Sequence, residues 1–280
     1  MSDDPILTLF VFITIWFLLY GIVKIFKLER PGFQMNSFYA IYSSTRLNGL
    51  IERLAKWRPE FWKIFGNLGI AMSVGQASFA AYILLRNLIR FIWTPENASP
   101  VQPLILGVTI SWESIPWFLL AAGVVLLSHE ISHGIQCYAE GVPIKSSAIL
   151  VAIITFGGAV EPDEEAINNA KIMSKMRIFA SGSFINIIIG LMLIPVLIFF
   201  GSYLPAPIHI FFTWLYLVSI NLSIMNMLPI GPLDGGQMLR TATKDLKNGA
   251  FYEKASTFGC LALICGNIVM SFARFGFVQM

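Results

Sequence analysis

Charge is what this sequence has least of: Asp, Glu, Lys and Arg together make up 12% of its 280 residues, where soluble domains carry about a quarter. With 56% hydrophobic residues and a mean hydropathy of +0.71, a water-soluble globular fold is excluded. Cysteine is equally sparse. Cys137, Cys260 and Cys265 all lie in or beside apolar runs, where thiols behave as small buried hydrophobes, so no disulfide framework is expected. Internal repeats and low-complexity tracts are missing, and no nucleic-acid partner is expected. Histidine occurs only as His129, His133 and His209, and the first two share one helical turn.

What the chain has in quantity is apolar sequence. A membrane-spanning helix needs about 20 mostly apolar residues, and six stretches qualify: residues 5–26, 64–85, 115–137, 178–200, 210–229 and 255–275. The first exceeds the roughly 7–15-residue apolar core of a signal peptide and lacks a small-residue cleavage pattern, so it is read as retained. All 19 Lys and Arg except Arg86, Arg90 and Arg274 fall at the end of the first span or in the first, third and fifth connections. Positively charged loops stay on the cytoplasmic side, which predicts extracytoplasmic termini. The expected fold is an all-α polytopic membrane protein with six transmembrane helices and a short membrane-embedded β-hairpin or re-entrant segment. It divides into two N-terminal helices with a basic loop (1–110), a catalytic core (111–240) and a C-terminal helix (241–280).

Two connections hold more than linker sequence. In the basic segment 27–63, Leu47, Leu50, Ile51 and Leu54 recur at helical spacing, consistent with a helix along the membrane surface or a positive loop with a short helix. After the third span, "SSAILVAIITFGGAVEPDEE", Ser146 to Glu165, is apolar for roughly fourteen residues and then acidic, too short to span but long enough to dip into the membrane. Irregular backbone at that depth needs protein or a water-filled cavity around it. Gly157 and Gly158 suit a tight turn or the close approach of another backbone. A core-packed apolar loop is the alternative.

The third span ends in "LLSHEISHGIQ", Leu126 to Gln136. His129 and His133 are four residues apart, so both imidazoles stand on one helix face and converge on one point. Glu130 completes an H-E-x-x-H arrangement, in which two neutral imidazoles hold zinc and the carboxylate serves as general base toward water that zinc has made acidic, with a pKa of about 7. Ionisable groups inside a bilayer cost about 2.5–3.5 kcal/mol each and therefore point to function. At ~1.5 Å of rise per residue from Ile115, His129 lies about 21 Å into a ~30 Å layer, nearer the cytoplasmic face.

A catalytic zinc takes three protein ligands and keeps one open position. Cys137 shares the helix face but stands ~12 Å along the axis from His129, too far for the same ion. His209 falls at the outer end of the fifth span and is read as interfacial. Glu161 and Asp163 remain candidates, although Pro162 and the neighbouring acids suggest a solvated loop. Asp234 is the remaining candidate, in "NMLPIGPLDGGQML", Asn226 to Leu239. Pro229 and Pro232 interrupt the fifth helix there, presenting the carboxylate from non-helical backbone at about the depth of the histidines.

These residues resemble the site-2 protease family of intramembrane zinc metalloproteases, in an archaeal or bacterial type without PDZ or CBS domains. Its hallmarks, H-E-x-x-H and N-x-x-P-x-x-P-x-D-G, are matched by His129, Glu130 and His133 and by Asn226, Pro229, Pro232, Asp234 and Gly235. The resemblance implies that His129, His133 and Asp234 bind one Zn2+ per chain, that Glu130 is the general base, and that Asn226 engages substrate backbone. "ASGSFINIIIG", Ala180 to Gly190, is similar to the family's A-G-P-x-x-N stretch, with Gly182 and Asn186 retained and Ser183 in place of proline. "TFGGAVEP" resembles the Gly-Gly hairpin that pairs with unwound substrate, which makes Gly157 and Gly158 substrate-binding candidates. The similarity runs from about 115 to 239, while the first two spans match no motif. No connection is long enough for a PDZ domain and no soluble domain is expected after the sixth span, so control is expected from the membrane or a partner protein. The implied activity is hydrolysis of a peptide bond in or near the transmembrane helix of a membrane-protein substrate, as in regulated intramembrane proteolysis. The alternative is a membrane metal transporter or sensor. Transporters often carry inverted repeats and paired broken helices, and this chain has one broken helix and no repeat.

Overall fold

The computed structural model describes residues 5–46, 48–152 and 156–278. The helices are α1 (Pro5–Ile25), α2 (Asn48–Trp57), α3 (Pro59–Trp93), α4 (Ile115–Ala139), α5 (Glu164–Asn169), α6 (Ile172–Phe200), α7 (Ala206–Asn226), α8 (Asp234–Thr243) and α9 (Gly249–Phe275). Among the described residues five helices are long and apolar enough to cross a membrane, namely α3, α4, α6, α7 and α9, whereas the apolar stretch found in α1 is the shorter Ile13–Ile25. Six spans is therefore an approximation. The helix α3 runs 35 residues, about 52 Å at 1.5 Å per residue, well past the expected 64–85. Pro59 starts it, and no further proline interrupts the chain before Thr94 ends it.

At the centre stands α6, packed against α3, α4 and α7. The middle of its buried face is rich in small and polar residues, Ala180, Ser181, Gly182, Ser183 and Asn186. Small side chains let helices approach closely where lipid provides no hydrophobic drive for association. Gly69 of α3 illustrates this, since a Cβ there would press on Phe184 and Ala180 at 3.2–3.3 Å.

Two polar contacts pin the bundle. At the end of α4 the buried Glu140 carboxylate accepts from Arg177 Nη1 at 3.0 Å and from Ser174 Oγ at 2.6 Å. The Arg177 Nε donates in turn to Asn67 at 2.8 Å, which joins α3, α4 and α6. Toward the other end, the fully buried Asn267 of α9 donates to the Leu84 and Leu263 carbonyls and accepts from Asn87 of α3.

The expected hairpin belongs to a larger sheet. Strands β1 (Phe33–Met35), β2 (Tyr39–Ser44), β3 (Ile144–Ala152) and β4 (Phe156–Pro162) pair antiparallel in the order β1-β2-β3-β4. The basic segment therefore contributes two strands, with Tyr39 opposite Ala152 and Ser44 opposite Ser147. Residues 153–155, which join β3 to β4, lie outside the described residues. Gly157 and Gly158 are inside β4, opposite Leu150 and Ile149, rather than in the turn. Close approach is the reason for Gly158: a Cβ there would lie 2.6 Å from Glu130 Cγ.

The helical spacing after the sheet is real, but its burial differs from a membrane-surface helix. Ile51 and Ala55 of α2 are buried, Ile51 lying against the bare face of Gly134 on α4, while Leu50 and Leu54 are exposed. Leu47 lies outside the described residues.

Candidate metal centre

Helical periodicity puts His129 and His133 on the face of α4 that meets α6, and both rings are buried, with 4% and 9% of the residue exposed. Their Nε2 atoms lie 3.1 Å apart. Asp234 Oδ2 stands 3.3 Å from His129 Nε2 and 3.2 Å from His133 Nε2. Three donor atoms on a tetrahedral zinc with bonds of about 2.0–2.1 Å are separated by about 3.3 Å. The triangle of two imidazole nitrogens and one carboxylate oxygen thus fits a single divalent ion in spacing and in donor type.

Asp234 reaches that point by a route the sequence gives only in part. It is the first residue of α8, not a residue of non-helical backbone; Leu233 before it is extended, with φ −79° and ψ 161°. A carboxylate in the first turn is favoured by the positive end of the helix. Gly235 and Gly236 make the position reachable, because a Cβ on either would collide with backbone carbonyls of the preceding turn, Met227 and Leu228 for one, Ile230 for the other.

Gly182 of α6 performs the same service for the histidines: a Cβ there would collide with His133 Nε2 and with the His129 ring. The His133 Nδ1 lies 2.7 Å from the Ile178 carbonyl. A carbonyl only accepts, so Nδ1 carries the proton and Nε2 turns its lone pair to the triangle, the usual arrangement of a metal-bound imidazole. Asn226, the last residue of α7, donates from Nδ2 to Asp234 Oδ2 at 2.7 Å and stands 3.1 Å from His129 Nε2.

Glu130 faces the other way, toward the sheet, with Oε2 accepting from the Val160 N–H of β4 at 2.8 Å. Between β4 and the triangle lies a cavity of about 460 Å³, lined among others by Glu130, Gly158, Val160, Asn226 and Asp234. Gly158 therefore lines the cavity beside Glu130. Gly157, the preceding residue of β4, pairs with Leu150 of β3.

The other ligand candidates are employed elsewhere. Glu161 accepts from Ser146 Oγ at 2.8 Å, and Asp163 caps α5 by accepting from the Ala166 N–H at 2.9 Å. His209 lies near the start of α7, beside Gly201, and Cys137 lines the cavity wall outside the triangle. Among the described residues, His129, His133 and Asp234 form the one group of three such side chains close enough to hold a metal. Sequence reasoning gave no role to the Val160 amide or the Ile178 carbonyl, because backbone groups leave no trace in residue identity.

A helical membrane bundle with a buried His, His, Asp triangle beside a glutamate has the makings of an intramembrane metallopeptidase, and comparison with known proteins agrees. The sequence profile of peptidase family M50 matches residues 117–208 and 201–266, more than half of the chain. The chain belongs to peptidase family M50, the site-2 proteases. It is 30% identical over 215 residues to an uncharacterised protein of Methanocaldococcus jannaschii, covering 74% of this chain and 55% of that one. It is 21% identical over 170 residues to the membrane-bound transcription factor site-2 protease homolog of Arabidopsis thaliana, covering 57% and 33%. With Mycobacterium tuberculosis Rip3, named as a candidate zinc metalloprotease, it shares 28% over 158 residues, covering 54% and 37%. The chain thus spans from a third to about half of the length of these relatives. No solved structure matches it significantly.

Proposed function

We propose that this protein is an intramembrane zinc endopeptidase that cleaves a membrane-protein substrate within or near its transmembrane helix, toward the cytoplasmic side. The observation that carries the reading is the triangle of donor atoms 3.1–3.3 Å on edge, sharing one cavity with Glu130 and the β4 strand. His129, His133 and Asp234 would hold one zinc ion, which when bound supplies Lewis-acid activation of water and of a peptide carbonyl.

The remaining chemistry belongs to the chain itself. Glu130 takes the proton of the attacking water and passes it to the leaving amine. A helical peptide bond is unfit for attack because its carbonyl is already hydrogen-bonded and side chains shield it, so the substrate must be extended first. The β4 strand, with Gly158 and Val160 on the cavity wall, offers backbone groups on which an extended segment adds as a further strand. Asn226, 2.7 Å from Asp234, stands where it can donate to the backbone of that segment. Sixteen of the 19 basic residues fall at the end of the first apolar stretch or in the first, third and fifth connections between the apolar stretches, which by the positive-inside rule supports a cytoplasmic placement of that side and extracytoplasmic termini.

The test is Glu130→Gln in purified protein with a reporter transmembrane helix. Cleavage should vanish while one zinc per chain is retained. Undiminished cleavage would end the proposal, and loss of zinc would show that Glu130 is a ligand rather than the base.

A further inference from the structure

Asn186 stands on α6 one turn after Gly182, fully buried, with its amide 3.0 Å from His129 Nδ1. Its Nδ2 faces the ring, and its Oδ1 has no hydrogen-bond partner among the described residues. A buried carboxamide oxygen left without a donor is costly. Commitment of His129 Nε2 to a metal adds a second conflict. A neutral imidazole that binds through Nε2 carries its proton on Nδ1, so two hydrogen-bearing nitrogens would face each other at 3.0 Å. Turning the amide over ends the clash of donors and gives Oδ1 a partner, because its oxygen and nitrogen ends are nearly the same size and Oδ1 then accepts from His129 Nδ1–H.

We infer that Asn186 is the positioning residue of His129: its side-chain oxygen fixes the ring's tautomer and aims Nε2 at the metal. The inference rests on reading the triangle as a metal centre. The two imidazoles are then treated alike, His133 by the Ile178 carbonyl and His129 by a side chain, because both acceptors come from α6. Such outer partners typically govern metal affinity by about 10–100-fold.

The experiment measures zinc affinity by chelator competition in the detergent-purified full chain, with the visible spectrum of the cobalt-substituted protein as a second readout. Asn186→Leu, which keeps the branched shape and removes the acceptor, should lose about 10–100-fold in affinity. Asn186→Asp, which keeps an acceptor and strengthens it, should hold zinc within a few-fold of the parent and shift the cobalt bands. Unchanged affinity in Asn186→Leu, or equal losses in both variants, overturns the inference. Should Asn186→Leu fail to fold, Asn186→Asp decides alone: retained metal with shifted bands supports the assignment, and lost metal or unshifted bands overturns it. Parent protein that takes up no divalent metal overturns the metal-centre reading and this inference with it, whereas metal-loaded parent beside an equally loaded Asn186→Leu overturns this inference alone.

Discussion

Glu130 Oε2 and the Val160 amide are joined by a 2.8 Å hydrogen bond, which ties the side chain proposed as general base to the strand proposed to receive substrate. Replacing Val160 with proline removes that N–H. Two residues further along the same strand edge, Pro162 already does without one, as edge strands allow. A hydrogen bond to a charged group contributes about 1.5–3 kcal/mol, so Val160→Pro should keep its zinc and cleave a reporter helix about 10–100-fold more slowly. Parental cleavage rates in this variant would mean that the bond does not position the base.

Gly182 leaves room for both imidazoles, and an added methyl group has nowhere to go between two rings held by α4 and α6. Gly182→Ala should therefore lose zinc, with the metal-to-protein ratio by atomic emission falling from near one toward zero. Gly75→Ala in α3, where a Cβ meets nothing within 4 Å, is the matched control and should keep its metal. Full zinc content in Gly182→Ala would show that the α4–α6 contact is looser than its geometry implies.

The Glu140 side chain is 4% exposed and its partner Arg177 19%. Removing one member of a buried pair leaves the other charge uncompensated, at a cost of about 3–5 kcal/mol. Glu140→Ala should lower stability by that order in mixed-micelle unfolding, and the double change Glu140→Leu with Arg177→Met should recover most of it. A single variant as stable as the parent would show that Arg177 finds water when its partner is gone.

Asn267 supplies a graded comparison. Neutral hydrogen bonds between membrane helices contribute about 0.6 kcal/mol on average and up to about 1.7, so Asn267→Ala should cost distinctly less than Glu140→Ala in the same assay. Its zinc content should not change, because α9 contributes no atom to the triangle. Metal loss on this substitution would reveal coupling between α9 and the centre.

Much of the fold was legible because lipid demands long apolar runs, and the prolines and glycines after Asn226 punctuate them. Ends were harder to read. The apolar core of α3 stops near Leu85, yet Arg86 and Arg90 continue the helix, since charged residues are good helix formers once outside the hydrocarbon. The strands β1 and β2 went unread because three and six residues carry little periodic signal, and β2 pairs with β3, a partner about a hundred residues away. At the site, the spacing of His129 and His133 fixed their common face, and the setting of Asp234 made it a candidate that the fold brings beside them. The helical start at Asp234 was missed because Gly235 and Gly236 read as breakers, whereas their bareness admits the carbonyls of residues 227–230.

The triangle also has a mechanical consequence. His133 and Asp234 are about a hundred residues apart, and the hairpin β3–β4, α6 and α7 all lie between them. An ion held by both closes that whole length of chain into a ring, as a staple would, and clips that close long loops remove the most freedom from the unfolded chain. Chelation would then do more than silence chemistry: it would untie the α4 end of the bundle from the α8 end.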